Sequence, residues 1–326
     1  MTGDYRLVVR RTGGPEVIER EAFETKTPGP GEARVRQTAI GLNFIDVYFR
    51  SGLYSVPLPS GLGMEAAGMI EAVGEGIEHL RPGDRVAYAG GPIGAYATVR
   101  MMATDLLVPL PDSIDDETGA AAMLKGMTAD ILVGPCARMR AGQSALVLAA
   151  SGGVGSILVQ WLKAIGVRVI AHAGSPEKAA RAHDLGADEA LSCPYDELCT
   201  KIRALTGGRG VDAVFDGIGA ASWAATLAST AKLGMIVSYG NASGPTPPVS
   251  PLELSRAGSL FLTRPTLFDY IDSPDLLRAS AGRLFAMIES GKVKIEIGQR
   301  FPLEQAAEAH RALEGRRTSG STVLVP

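Results

Sequence analysis

The chain has 326 residues, 46% of them hydrophobic and 21% charged, with a formal net charge of -3 and a pI near 5.9. That length suits two domains, and the near-neutral balance offers no electrostatic attraction to nucleic acid or to an anionic membrane. No apolar run nears the roughly 20 residues that span a bilayer, the stretch from Met1 to Arg11 has no apolar core of a signal peptide, and three scattered cysteines (Cys136, Cys193, Cys199) argue for a reducing compartment, read as the cytosol.

From residue 5 to about 111 the sequence is strand-like. Ala33-Arg34-Val35-Arg36 alternates with period two, and Pro28-Gly29-Pro30-Gly31 and Arg81-Pro82-Gly83-Asp84 supply turn chemistry. Met69-Ile70-Glu71-Ala72-Val73 runs into Gly74 and Gly76. These signals predict a compact β-rich domain with few helices. From Gly142 the style changes. Residues 144–150 predict a buried strand. Val154, Ile157, Leu158, Trp161, Leu162 and Ile165 then fall on one helix face, and Gly166 fits the stop. Residues 167–171 predict a second strand. Ser175 then caps a helix with Pro176 at its first position and Gly186 after its end.

Further short strands are predicted at 211–215 and 235–238, with helical segments between them. Strand-helix alternation of this kind predicts a parallel sheet with helices on both faces. A proline-rich break covers 244–251. Helices are predicted near 275–289 and 304–314, and a last strand at 321–325 returns to complete the first domain.

Ala149-Ala150-Ser151-Gly152-Gly153-Val154-Gly155 lies between a predicted strand and a predicted helix. In that context missing side chains let a pyrophosphate approach the backbone, and the N–H groups and helix dipole favour its charge. A dinucleotide site is the functional reading; a tight strand-to-helix turn without ligand is the plain one. An NAD-binding fold places a carboxylate after the second strand to hold the ribose 2′-OH. Here Ala171-His172-Ala173-Gly174-Ser175 has none before Glu177, and Lys178 follows at once. A 2′-phosphate wants a cation and hydroxyl donors, so Ser175 and Lys178 favour NADPH. Ser175 serves equally as a helix cap, and Lys178 read plainly is a solvated surface residue.

Gly13-Gly14-Pro15-Glu16-Val17, Asn43-Phe44-Ile45-Asp46, Arg50-Ser51-Gly52-Leu53-Tyr54, Gly63-Met64-Glu65-Ala66-Ala67-Gly68, Leu124-Lys125-Gly126-Met127-Thr128, Gly152 to Gly155, Gly240-Asn241 and Thr263-Arg264-Pro265 occur in one order. With them the sequence resembles the zinc-free NADPH:quinone oxidoreductases of the medium-chain dehydrogenase/reductase superfamily, the ζ-crystallin-like group. The resemblance covers nearly the whole chain. It implies an α/β protein: a GroES-like β-rich catalytic domain (1–125 and 267–326) around an inserted Rossmann domain with a doubly wound parallel sheet (126–266). It also implies a homodimer whose contact involves the segment near Leu260.

Zinc-dependent relatives carry Cys where this chain has Asn43, and a His-Glu pair where it has Met64-Glu65. A catalytic zinc needs three Cys, His or carboxylate ligands with an open fourth position, so no metal site is expected. The segment 87–96 holds no cysteine, and His79, His172, His183 and His310 are dispersed. Each is read as a surface residue or an outer neighbour of the site. The cysteines are read as small packing residues.

The resemblance places Asn43 and Tyr54 near the nicotinamide. As catalytic candidates they donate hydrogen bonds to the oxyanion that forms as a quinone accepts hydride; in the plain reading Asn43 holds the cofactor and Tyr54 shapes the pocket. Cofactor contacts implied by resemblance are Asn43, Asp46, Thr128, Gly152, Gly153, Val154, Gly174, Ser175, Lys178, Tyr239, Asn241, Arg264 and Arg316. Asp46 also reads as a turn cap, and Arg264 and Arg316 as surface ion pairs. Two departures bear on NADPH over NADH: Ser192-Cys193 stands where relatives have Asn-Tyr, and a tyrosine expected near Ile131 is absent. Two other activities compete: zinc-free reduction of enones, enals or enoyl thioesters, and a structural or RNA-binding role for an NADPH-binding protein. The acidic pI and the lack of a basic aromatic stripe oppose RNA.

Overall fold

A computed structural model describes residues 3–326; Met1 and Thr2, at the head of the stretch read for a signal peptide, lie outside the described residues. The chain packs as two units. One comprises residues 3–127, 271–289 and 295–326, the other 128–270 and 290–294.

The first unit is built on β-sheet. A three-stranded sheet takes the order Ile18–Ala22, Tyr5–Val9, Ser60–Gly61. A seven-stranded sheet runs Ile297–Pro302, Ser321–Val325, Glu32–Leu42, Glu65–Val73, Arg85–Ala89, Val108–Pro109, with Val99–Ala103 also on Glu32–Leu42. The alternation read at 33–36 buries Ala33, Val35 and Gln37, but from Ala39 to Leu42 every residue is buried. That strand leaves its half-solvated stretch and enters the interior just before Asn43. Leu7, Val9, Val35, Ile40, Leu62, Ile70, Val86, Tyr96 and Leu324 form one core, and each fully buried aliphatic side chain contributes about 1.5–3 kcal/mol.

The C-terminal strand lies inside the larger sheet. Ser321–Val325 pairs antiparallel with Glu32–Leu42 (Val323 opposite Gly41) and parallel with Ile297–Pro302. The helix Asp116–Ile131 carries no periodic signal because it is buried on nearly every face from Ala120 to Met127.

The second unit holds the predicted parallel sheet, in the order Glu189–Leu191, Arg168–His172, Ser144–Leu148, Val211–Asp216, Thr230–Ser238, Phe261–Thr263. Each neighbouring pair in that order is parallel. Strand order reverses between Ser144–Leu148 and Val211–Asp216, the switch point outside which open α/β sheets bind ligands. The predicted helices are Gly153–Ala164, stopped by Gly166 at φ 80°, and Pro176–Asp184, with Gly186 at φ 105°.

Two departures from the sequence reading in this unit have a local cause. The strand predicted at 235–238 begins at Thr230; a register shift opposite it and Leu233 at φ 63° interrupt the pattern. The proline-rich break ends in a helix, Pro251–Arg256, whose first turn gives the Leu252 N–H to Ser250 Oγ at 3.3 Å. Residues 290–294 stay with this unit because Gln160 exchanges two hydrogen bonds with the Lys294 backbone, at 2.8 and 3.0 Å. No helix among the described residues is long and apolar enough to cross a membrane.

Candidate active site

The second unit offers backbone. After Leu148 the chain turns through Ala149 at φ 53°, a left-handed conformation that costs a non-glycine residue roughly 1–2 kcal/mol. The Gly152 N–H closes the turn on the Ala149 carbonyl at 2.9 Å. Gly152 caps the helix Gly153–Ala164 without a side chain, so the first-turn N–H groups stay uncovered and point out of the helix end. Gly155 answers a different need: a Cβ there would overlap the Ala149 carbonyl, so glycine lets the helix lie on the strand. The cradle fits a pyrophosphate.

Gly174, Ser175 and Lys178 follow the next strand. Ser175 Oγ accepts the Lys178 N–H at 3.3 Å, the predicted cap. Its hydroxyl also holds the Glu177 carboxyl below its ordinary range, so the one carboxylate nearby is directed at Ser175. His172 ends that strand, buried; its Nε2 donates to the Cys193 carbonyl at 2.7 Å and its ring lies 5.0 Å from that of Tyr195. Burial pushes the His172 imidazole below its usual value. Tyr195 was not singled out in the sequence, although it stands two residues beyond the Cys193 departure.

On the other side of the switch point, the buried Asp216 carboxylate organises the loop that follows its strand. It accepts Ser222 Oγ at 2.8 Å, Thr226 Oγ1 at 2.7 Å, the Ile218 N–H at 2.8 Å and the Gly219 N–H at 3.1 Å. The Tyr239 N–H joins the Asp216 carbonyl at 2.8 Å. Arg264 reaches the Ser238 carbonyl at 2.9 Å, tying two strand ends. Gly152 to Val154, Gly174 to Lys178, Tyr239, Asn241 and Arg264 therefore gather at the carboxyl edge of one sheet. Thr128 lies in the helix Asp116–Ile131.

The first unit offers side chains. Asn43 ends the inner strand and caps the helix Phe44–Ser51. Its main-chain N–H donates to Asp46 Oδ2 at 2.9 Å, and its Nδ2 donates to Glu65 Oε1 at 2.8 Å. Glu65 is fully buried. Its Oε1 also takes Lys125 Nζ at 2.5 Å, and its Oε2 takes the Leu124 N–H at 2.6 Å. Gly41 makes room, since a Cβ there would overlap the Glu65 carboxylate and the Ala120 carbonyl. Removing one partner of such a buried pair costs about 3–5 kcal/mol.

A carboxylate only accepts, so the arm of the Asn43 amide facing Glu65 is Nδ2. Among the described residues the other partner of this Nδ2 is the Gly41 carbonyl, at 3.5 Å. The amide therefore spends its donors inside the protein.

Behind Asp46 runs a chain whose polarity is fixed at one end. Arg50 can only donate, so His310 Nδ1, at 3.1 Å from Arg50 Nη1, accepts. His310 Nε2 then carries the hydrogen and donates to Tyr96 Oη at 3.0 Å, and Tyr96 donates to Asp46 Oδ2 at 3.0 Å. Arg50 is anchored in turn by Glu314 at 2.7 and 2.9 Å. Asp46 Oδ1 is buried without a partner among the described residues. Burial pushes the Asp46 carboxyl up to about 7, and burial with the Arg50 charge pushes His310 down to about 3. Asp46 thus shows capping geometry, and His310 is interior, which removes the surface half of its reading and leaves the outer-neighbour half. Nothing local marks it: its partner Arg50 lies 260 residues away.

Tyr54 follows the helix Phe44–Ser51, half-buried, with its ring 5.1 Å from Tyr48 and 5.9 Å from Phe49. One short helix thus carries Asn43 at its start and Tyr54 beyond its end. Arg316 is exposed near the C-terminus at φ 56°. The three cysteines are half-buried, and burial raises the Cys136 and Cys193 thiols, the opposite of an activated nucleophile. No group of three His, Cys, Asp or Glu side chains able to hold a metal occurs among the described residues.

Residues 29–112 match the family described as the alcohol dehydrogenase GroES-like domain, and residues 153–271 match the one described as zinc-binding dehydrogenase. The chain is 50% identical to a quinone oxidoreductase of Pseudomonas aeruginosa, over 98% of this chain and 99% of that protein. The crystal structure of a quinone oxidoreductase from Pseudomonas syringae pv. tomato is similar at a TM-score of 0.96 and 45% identity, covering 99% of this chain and 100% of that one. The Escherichia coli quinone oxidoreductase complexed with NADPH is similar at 0.95 and 40% identity, with the same coverage of 99% and 100%.

Proposed function

The chain belongs to the quinone oxidoreductases of the medium-chain dehydrogenase/reductase superfamily, and on that premise we propose that it reduces quinones with NADPH and without zinc. The observation that carries this reading is the bare glycine turn at the switch point of the parallel sheet, beside Ser175 and Lys178. When bound, NADPH supplies the hydride. The N–H groups of Gly153 and Val154 hold its pyrophosphate, and Gly152, bare of a side chain, lets it approach; Gly174, Ser175 and Lys178 hold the adenosine 2′-phosphate; Thr128, Tyr239, Asn241, Arg264 and Arg316 complete the hold.

Asn43 and Tyr54 meet the nicotinamide end. The Tyr54 hydroxyl donates to the oxyanion that forms as the quinone is reduced. Asn43, its donors committed to Glu65 and the Gly41 carbonyl, serves as an acceptor that positions the cofactor. Asp46 acts through Asn43, by holding its N–H. The zinc-free reading rests on donor chemistry: Asn43 and Met64 present an amide and a thioether where zinc relatives present a thiolate and an imidazole.

We place the protein in the cytoplasm, as a homodimer joined at the outer edge of the parallel sheet. Phe261–Thr263 is the edge strand, and Phe261, Leu233 and Leu252 are 57%, 63% and 62% exposed around it. An apolar edge of that kind favours pairing with a second copy.

The test is the rate of NADPH oxidation with 1,4-benzoquinone and 9,10-phenanthrenequinone, run beside NADH. Fast turnover with NADPH and little with NADH is expected. No turnover despite NADPH binding would move the substrate to enones or enoyl thioesters. If Tyr54→Phe and Asn43→Ala both leave kcat within about threefold, neither residue has a catalytic part.

A further inference from the structure

One buried pair, Glu65 with Lys125, takes no part in the hydride chemistry. Building on the reading that Asn43 meets the nicotinamide end of NADPH, we infer that Glu65 and Lys125 are positioning residues that lock the Asn43 amide, so that its carbonyl oxygen Oδ1 is the atom offered to the cofactor.

Each contact of Glu65 removes one freedom. The Leu124 N–H holds Oε2 at 2.6 Å, so the carboxylate cannot rotate away. Lys125 Nζ and Asn43 Nδ2 share Oε1, at 2.5 and 2.8 Å. Gly41 keeps the space beside the carboxylate free of a side chain. The Asn43 backbone is held independently, through its N–H on Asp46 Oδ2. Turning the amide over would set Oδ1 against Oε1, two acceptors with no hydrogen between them. The pair thus fixes which end of the amide is presented. The matching ligand chemistry is a donor, a ribose hydroxyl or the carboxamide N–H2 of the nicotinamide riboside half.

A pair that merely fastened the helix Asp116–Ile131 to the sheet would have no such effect, and the two roles separate experimentally. In the double variant Glu65→Gln, Lys125→Met both charges leave together, and shape is nearly kept. The Leu124 N–H still requires an oxygen, so the new amide turns its nitrogen to Asn43. Asn43 must then give it Oδ1 and turn its own N–H2 outward.

Binding is measured by calorimetry without quinone, for NADPH and for 2′,5′-ADP, which carries only the adenosine half. The expected result is a Kd for NADPH at least tenfold weaker, with 2′,5′-ADP within twofold and the thermal midpoint near wild type. Adding Asn43→Asp to the double variant restores an outward acceptor and should recover NADPH affinity to within about threefold. Unchanged NADPH affinity overturns the inference, as does parallel weakening of both ligands with a fallen midpoint. If the double variant does not fold, Asn43→Ala in the intact background must weaken NADPH but not 2′,5′-ADP; equal affinities overturn it. Failure of the wild type to bind 2′,5′-ADP or NADPH removes the cofactor reading itself, and this inference with it.

Discussion

At the turn after Leu148 the working groups are main-chain N–H groups, bared because Gly152 and Gly153 carry no side chains. Around Asn43 they are side chains, each held by another: Asp46 and Glu65 hold Asn43, Lys125 holds Glu65, and Tyr96, His310 and Arg50 stand behind Asp46. The first region is made by consecutive residues and has no room for a side chain at Gly155. The second is made by residues far apart in sequence, and what matters there is the direction of each hydrogen bond. Precision of position thus comes from steric exclusion in one region and from donor–acceptor polarity in the other.

The sharpest break of this contrast is Gly155→Val. Its side chain has no room beside the Ala149 carbonyl, and overpacking of backbone against backbone should cost about 3 kcal/mol or more. A urea midpoint close to wild type with unchanged NADPH binding would mean that the helix Gly153–Ala164 can shift aside. Tyr96→Phe adds no volume yet removes the link between His310 and Asp46. It should cost about 1–3 kcal/mol by leaving the buried His310 Nε2–H unpaired and Asp46 Oδ2 with the Asn43 N–H alone, and a loss below about 0.5 kcal/mol would deny that the polarity of the chain matters.

A third test reads protons. Asp46, raised from 3.8 to about 7, holds a proton in the folded state that the unfolded state has lost; its stabilisation is complete below about 4 and vanishes as pH rises through 7. His310, lowered from 6.5 to about 3, refuses a proton that the unfolded state takes up; its stabilisation is complete above 6.5 and vanishes as pH falls through 3. Between about 4 and 6.5 the two slopes cancel. Asp46→Asn removes one of them, so stability of the variant relative to wild type should fall by about 1.4 kcal/mol for each pH unit of acidification in that window. Parallel curves for the two proteins would refute the pairing. The smallest effect belongs to Lys178→Ala, on the edge of the backbone cradle. NADPH affinity should drop roughly fivefold, ~1 kcal/mol, with NADH little changed, and equal losses for both would remove Lys178 from the 2′-phosphate.

The contrast also explains what could be read from the sequence. Gly152, Gly155, Ser175, Pro176 and Gly186 signal by their local spacing, and the parallel sheet, the turn and the capped helix were all legible. Glu65 and Lys125 stood within recognisable motifs, but their partnership spans 60 residues and has no local signature. His310 and Tyr96 carry no pattern; only folding brings them within 3.0 Å. The helix Asp116–Ile131 was invisible for the opposite reason, since burial on nearly all sides erases the periodicity that marks a helix. Asn43 reads as an oxyanion donor or as a holder of the cofactor because its chemistry permits both; its hydrogen bond to Glu65 comes from another strand and leaves no local mark in the sequence.

The position of the last strand has a consequence for how the protein is born. Glu32–Leu42, which delivers Asn43, receives one of its sheet neighbours only from Ser321–Val325. On a ribosome adding about 5–20 residues per second, that neighbour arrives on the order of tens of seconds later. The other sheet has its last strand by Thr263. The sheet that carries the glycine turn can therefore close while the nascent chain is still tethered, whereas the edge at Ile40 and Gly41 waits until Ser321–Val325 has been made and has cleared the ribosome.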